Sequence, residues 1–171
     1  MINFEKMQAN QLKNNPFEMI GSDWFLITAE KEGKTNTMTA SWGAFGVMWR
    51  KNVAFTVIRP QRYTKEFVDC SERFSLSFFG EEYKEKLSYI GATSGRNEDK
   101  IEKSGLSLDF EAAVPYFREA NTVMICKKLY AQQITFDCFI VKELNDNFYK
   151  NNDQHVLYIS EIEDIFVKNQ A

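Results

Sequence analysis

The sequence is poor in the residues that most catalytic and metal sites use. Its 171 residues include one histidine, His155, and three cysteines, Cys70, Cys126 and Cys138, with no pair at CxxC spacing. A structural zinc site takes four Cys or His ligands, so it would consume all four from distant positions. No metal is expected. A Ser–His or Cys–His dyad would have to use His155, and no serine sits in a nucleophile-elbow pattern. Only three prolines and eight glycines exclude a linker-rich or collagen-like chain. No apolar run approaches a membrane span, and the opening MINFEKMQANQLKNN lacks the apolar core of a signal peptide. Together with an odd number of cysteines, this predicts a cytoplasmic protein in a reducing compartment, with no membrane partner.

What the chain has in quantity is aromatic surface and unevenly placed charge. Fifteen Phe, seven Tyr and three Trp can fill a core or stack on a flat ligand. The net charge of −3, from 24 acids against 21 bases, argues against a nucleic-acid partner. Yet no Asp or Glu occurs from Gly33 to Lys65, while Lys34, Arg50, Lys51, Arg59, Arg62 and Lys65 do. That window carries +6 and leaves −9 for the rest. A basic island in an acidic chain focuses potential on a small anion, although a solvated basic surface has the same composition.

Hydrophobic alternation predicts strands over Trp24–Glu30 and Thr35–Trp42, joined by a turn at Glu32-Gly33-Lys34. Further strands are expected over Val53–Ile58, stopped by Arg59-Pro60, over Phe74–Phe79, and over two long segments, Thr122–Ile134 and His155–Val167. Helices are expected from Thr64, as a hydroxyl cap, to about Cys70; over Glu81–Ile90, ended by Gly91; and near Asn97, carrying Lys100. Lys142–Gln154 reads as a polar turn or lobe. Strands far outnumber helices and do not alternate with them. This predicts one mainly β domain with short helices over 1–171, core about 20–167, built as an antiparallel barrel.

Three segments carry candidate chemistry. In Arg59-Pro60-Gln61-Arg62-Tyr63-Thr64, two guanidinium groups and a hydroxyl leave a rigid corner beside a helix start, a combination suited to phosphate, or simply a strand end with Arg62 solvated. Thr93-Ser94-Gly95-Arg96, with Lys100 following, offers a close backbone approach and further anion donors, or simply a surface turn. In Asn36-Thr37-Met38-Thr39-Ala40-Ser41-Trp42, hydroxyls alternate with Asn, Met and Trp. Such a strand lines a groove for a half-polar, half-planar ligand, or has one solvated and one core face.

The runs NTMTASW, RPQRYT, SGR…K and DQHVLYISEI occur in that order between about Ile20 and Val167. In this order and spacing they resemble the flavin reductase-like family, more narrowly its flavoredoxin branch. The resemblance implies an FMN-binding split β-barrel and a homodimer, with NAD(P)H as hydride donor and an electron acceptor that it does not name. It assigns Asn36, Thr39, Ala40, Ser41 and Trp42 to the flavin, with Asn36 and Trp42 foremost. Arg59, Arg62, Tyr63 and Thr64 fall to the ribityl and phosphate end, joined by Ser94, Gly95 and Lys100. His155 begins the late strand and falls near the ring or nicotinamide, as a weak catalytic candidate or a neutral packing residue. Ser160 stands where the family often has Gly. A flavin carrier, store or sensor without reductase activity is the alternative, and a barrel for another aromatic or lipid ligand is a third.

Overall fold

The computed structural model describes residues 4–169, so the ends of the expected 1–171 domain, including Met1 to Asn3, lie outside the described residues. Ten strands form: β1 (Phe4–Met7), β2 (Phe25–Lys31), β3 (Lys34–Ala40), β4 (Gly43–Met48), β5 (Lys51–Ile58), β6 (Arg73–Phe78), β7 (Leu108–Glu111), β8 (Val114–Phe117), β9 (Thr122–Gln133) and β10 (Val156–Lys168). Four short α-helices connect them: α1 (Tyr63–Cys70), α2 (Lys84–Ala92), α3 (Lys100–Ser104) and α4 (Lys142–Phe148). No helix among the described residues is long and apolar enough to cross a membrane.

The main sheet runs β3-β2-β6-β9-β10-β5-β4, with β1 on the far half of β10 and β7–β8 as a separate hairpin. Every pairing is antiparallel. Its two edge strands, β3 and β4, are consecutive in the chain, with only Ser41 and Trp42 between them. Three Cα–Cα steps reach about 11 Å. Six strand spacings across a flat sheet would need about 29 Å. The sheet must therefore curl until its edges nearly meet. The result is a barrel split between β3 and β4, and the NTMTASW motif ends at the split.

Two hydrophobic clusters follow from the curl. The inner one takes Phe25 and Ile27 from β2, Met38 from β3, Ile58 from β5, Phe74 from β6 and Tyr158 from β10, and is plugged by Phe67 and Val68 of α1. The outer one packs Leu26, Val123 and Ile125 against Leu87 and Ile90 of α2 and Tyr116 of β8. Strands covered on both faces explain why the hydroxyl face of β3 is not solvated. Thr37 and Thr28 share a buried hydrogen bond of 2.9 Å, and Thr39 donates to the Leu87 carbonyl of α2.

Several expected boundaries move. Thr64 does not cap α1; Arg62 occupies that position without a side-chain bond, and Thr64 is the second helical residue. Gly91 does not end α2, which runs to Ala92 because Thr39 packs on the bare Gly91 Cα; a Cβ there would lie 3.2 Å from the Thr39 Cβ. The third helix begins at Lys100 rather than near Asn97, since the Asp99 carboxylate accepts from the Ile101 and Glu102 amides. The polar 142–154 segment contains helix α4.

At the split, β4 leaves Trp42 through Gly43, where a Cβ would come within 2.5 Å of the Phe55 carbonyl oxygen. Backbone cannot yield as a flexible side chain does. Gly43→Ala should cost about 2 kcal/mol as overpacking. Thermal unfolding should register a fall of about 5 °C for a domain of this size.

Candidate functional site

Strand β5 ends at Arg59-Pro60, and the chain turns through Gln61 into α1. Opposite this corner, α2 runs out into Thr93-Ser94-Gly95. The two loops enclose a cavity of about 330 Å³ whose walls include Arg62, Thr64, Ser94, Gly95 and Lys100. Two motifs thirty residues apart in the chain thus face each other, as their separate anion-binding readings require.

Donors predominate in this cavity. Arg62 gives Nη1 to the Gly91 carbonyl at 2.7 Å, its single side-chain hydrogen bond among those described, which leaves most of its fork free. Lys100 gives Nζ to the carbonyls of Ile90 at 3.0 Å and Thr93 at 2.8 Å, with one N–H remaining. The Thr64 hydroxyl accepts from Asn36 Nδ2 at 2.9 Å, so its own proton is left to donate. Ser94 Oγ likewise accepts, from the Arg96 amide. No side chain caps α1, so its first amides add further donors. No Asp or Glu lines the cavity.

The two cations oppose each other. Burial, with the Arg62 charge beside it, lowers the Lys100 ammonium to about 8. Burial, then the Arg59 charge, lowers Arg62 as well. Both sit at the C-terminal carbonyls of α2, where the helix dipole holds positive charge. An anion entering the cavity would relieve the remaining repulsion.

Met38, Arg59 and Arg62 are shared with a second cavity of about 210 Å³, lined also by Thr39, Ala40, Ser41, Trp42, Val57 and His155. The donor-rich end therefore continues into a second space at the split, walled by Trp42 and His155. Trp42 sits against His155 (centroids 5.1 Å apart) and edge-on to Phe148 at 5.4 Å. His155 Nδ1 shares a 2.9 Å hydrogen bond with the Tyr149 hydroxyl. Burial, then the Arg59 charge, brings the imidazole down to about 4. It is neutral at physiological pH.

Eleven of the twelve expected binding residues line these joined cavities, as does His155. Asn36 does not. It is buried behind Gly95, where its side chain fills the space that a Gly95 Cβ would need, and it ties β3 to α1 through Thr64. Arg59 lines both cavities, but its fork is turned away, to Asp153 at 2.5 Å and the Phe148 carbonyl at 2.9 Å. Tyr63 lies edge-on to Phe67, with the Arg96 guanidinium 4.6 Å over its ring. Thr39 lines the second cavity, while its hydroxyl proton is committed to α2. Met38 and Thr93 belong to the candidate segments without having been assigned a ligand contact, and sequence reasoning missed Val57 and Ala92 as lining residues. Met38 shares a face with Asn36 and Ala40 and was within reach of a period-two argument; nothing marks Val57.

A family model described as "Flavin reductase like domain" matches residues 18–171. The chain belongs to the flavin reductase-like family. This flavin reductase-like chain also superposes on solved split-barrel structures. An FMN-binding domain of a flavin reductases-like enzyme from Shewanella baltica gives a TM-score of 0.71 at 16% identity, covering 97% of this chain and 78% of that one. Flavoredoxin from Methanosarcina acetivorans gives 0.69 at 19% identity, covering 96% and 77%. Flavoredoxin of Desulfovibrio vulgaris gives 0.68 at 21%, covering 96% and 78%. At these identities the superpositions establish the fold. No curated protein matches the sequence.

Proposed function

We propose that this flavin reductase-like chain is an FMN-dependent oxidoreductase that takes a hydride from NADH or NADPH and passes electrons to an acceptor. The observation that carries this is the acid-free, donor-rich cavity opening directly into a ring-sized space beside Trp42. A phosphate monoester has nearly two negative charges and several acceptor oxygens, which is what the free donors of Arg62, Thr64, Ser94 and Lys100 require. The residues present therefore fit FMN.

In this reading Arg62 and Lys100 neutralise the phosphate, and Thr64, Ser94 and the first amides of α1 orient it. Ala40, Ser41 and Trp42 define the ring end, where Trp42 and Phe148 exclude water. Arg59 contributes field while its fork holds the 148–153 segment in place. Bound flavin supplies hydride acceptance and electron release. His155 stays neutral and packs against Trp42, so it serves as a shape and hydrogen-bonding residue rather than a proton source.

We further propose a homodimer, supported by Val47 and Trp49 standing exposed on the β4–β5 hairpin beside the exposed Leu129 and Tyr130 of β9. Three free cysteines suit a reducing, cytoplasmic setting. The direct test is the visible absorption spectrum of the purified protein, recorded with added FMN, before and after anaerobic NADH or NADPH. Flavin bands should appear on binding and bleach with one nucleotide. Bands that persist with both would make the chain a carrier or sensor, and absence of binding would remove the flavin reading.

A further inference from the structure

A third cavity, of about 410 Å³, lies on the other side of Trp42. One wall is the N-terminal strap with Phe17, Ile20 and Gly21; the other is the start of β4 with Trp42, Ala44 and Phe45. The volume lies within the range of small-molecule sites. None of its lining residues carries a charge, and Ser41 brings the one side-chain hydroxyl. The walls are pre-formed. Met19 and Ile20 of the strap are buried in the inner core, and Asn15 Oδ1 accepts from the Phe17 amide at 3.0 Å. Phe45 is braced edge-on against Phe78. Phe17, held in this way, is nonetheless 84% exposed at the rim, while Trp42 is 42% exposed.

We infer that this cavity is a second binding site, for an uncharged molecule of one or two fused rings bearing a single polar atom. Aromatic walls on opposite sides supply stacking and apolar contact. The absence of any counter-charge makes an ionised ligand costly, because it would lose water without gaining a partner. Ser41 and Trp42 line this cavity and the ring-sized one alike, so the occupant is separated from the flavin end by one side-chain layer. The site stands on its own walls and does not depend on the flavin reading.

The test is calorimetric titration of the full chain with 2-naphthol and with naphthalene-2-sulfonate, the same rings with and without charge. Naphthol should bind, and the sulfonate should bind at least about tenfold more weakly. Gly21 lines the cavity, and a Cβ built there meets nothing within 4 Å, so the Gly21→Leu side chain starts into open space. That variant should keep the wild-type melting temperature and FMN affinity while naphthol binding falls at least about tenfold. No naphthol binding by the wild type, equal binding by Gly21→Leu, or equal binding of the sulfonate would each overturn the proposal. So would naphthol binding that disappears as the protein self-associates, since a second copy would then be the occupant. Naphthol binding without FMN binding would keep this site and remove the flavin one.

Discussion

Replacing Arg62 by Ala and Lys100 by Met together should weaken FMN binding by about a hundred- to ten-thousand-fold. Each residue contributes a charge-assisted hydrogen bond worth about 1.5–3 kcal/mol, and every 1.4 kcal/mol is about tenfold in affinity. The pair is additive in direction only, because removing either cation relieves the repulsion on the other. Both side chains also cap α2 through the carbonyls of Ile90, Gly91 and Thr93, so circular dichroism must accompany the titration. The wild-type pH profile offers a check without mutation. Lys100 titrates at about 8 in the free protein, and phosphate prefers its charged form. Affinity should therefore be highest near pH 7 and fall as pH rises through 8, with a separate loss below about pH 6 as the phosphate takes up its second proton. Lys100→Met should abolish the alkaline fall. An unchanged affinity in the double variant would place the phosphate elsewhere.

The barrel was legible where burial leaves one clear period. β2, β5, β6, β9 and β10 begin and end within a few residues of their expected limits, because each is a β-branched or aromatic run bounded by turn residues. The hairpin β2–β3 was equally clear. Its two-residue turn holds Glu32 and Gly33 at φ of 52° and 75°, which glycine signals. β4 and the β7–β8 hairpin carried no such mark. Their turns place Trp49 and Arg50, and Ala112 and Ala113, at positive φ, residues that no turn preference would choose there. β4 also reads poorly as a strand, with two glycines in Gly43–Met48 and a mostly exposed face.

At the site, the motifs were legible as chemistry but not as geometry. Arg62, Thr64, Ser94 and Lys100 share one cavity as their residue types suggested. Arg59 was expected to act with Arg62, three residues on, yet its fork is taken by Asp153, 94 residues away. Asn36, expected at the ligand, braces β3, α1 and the Gly95 loop and lines a neighbouring cavity with Tyr63, Gly95 and Lys100. Both differences arise from long-range partners, which no local pattern contains. The charge count across Gly33–Lys65 is insensitive to such details, because it averages over them.

His155 should make the folded state lose about 2 kcal/mol between pH 7 and pH 5. The unfolded imidazole titrates near 6.5, whereas the folded one is held at about 4 by burial and by the Arg59 charge. Below 6.5 the unfolded chain gains a proton that the native chain refuses, so stability falls with pH and levels off once the native imidazole also protonates. The full gap is of the order of 3 kcal/mol. Urea unfolding at pH 7, 6 and 5 measures it. Asp153, whose carboxyl is lowered by bonds from Gln61 and Arg59, loses its contribution only at more acid pH, so the two windows separate. His155→Phe should be less stable than wild type at pH 7, since the Tyr149 hydroxyl loses its partner. It should also lose much less stability on going to pH 5. A wild-type slope retained by the variant would assign the titration to another group. A slope that vanishes with His155 would establish a neutral imidazole across the physiological range.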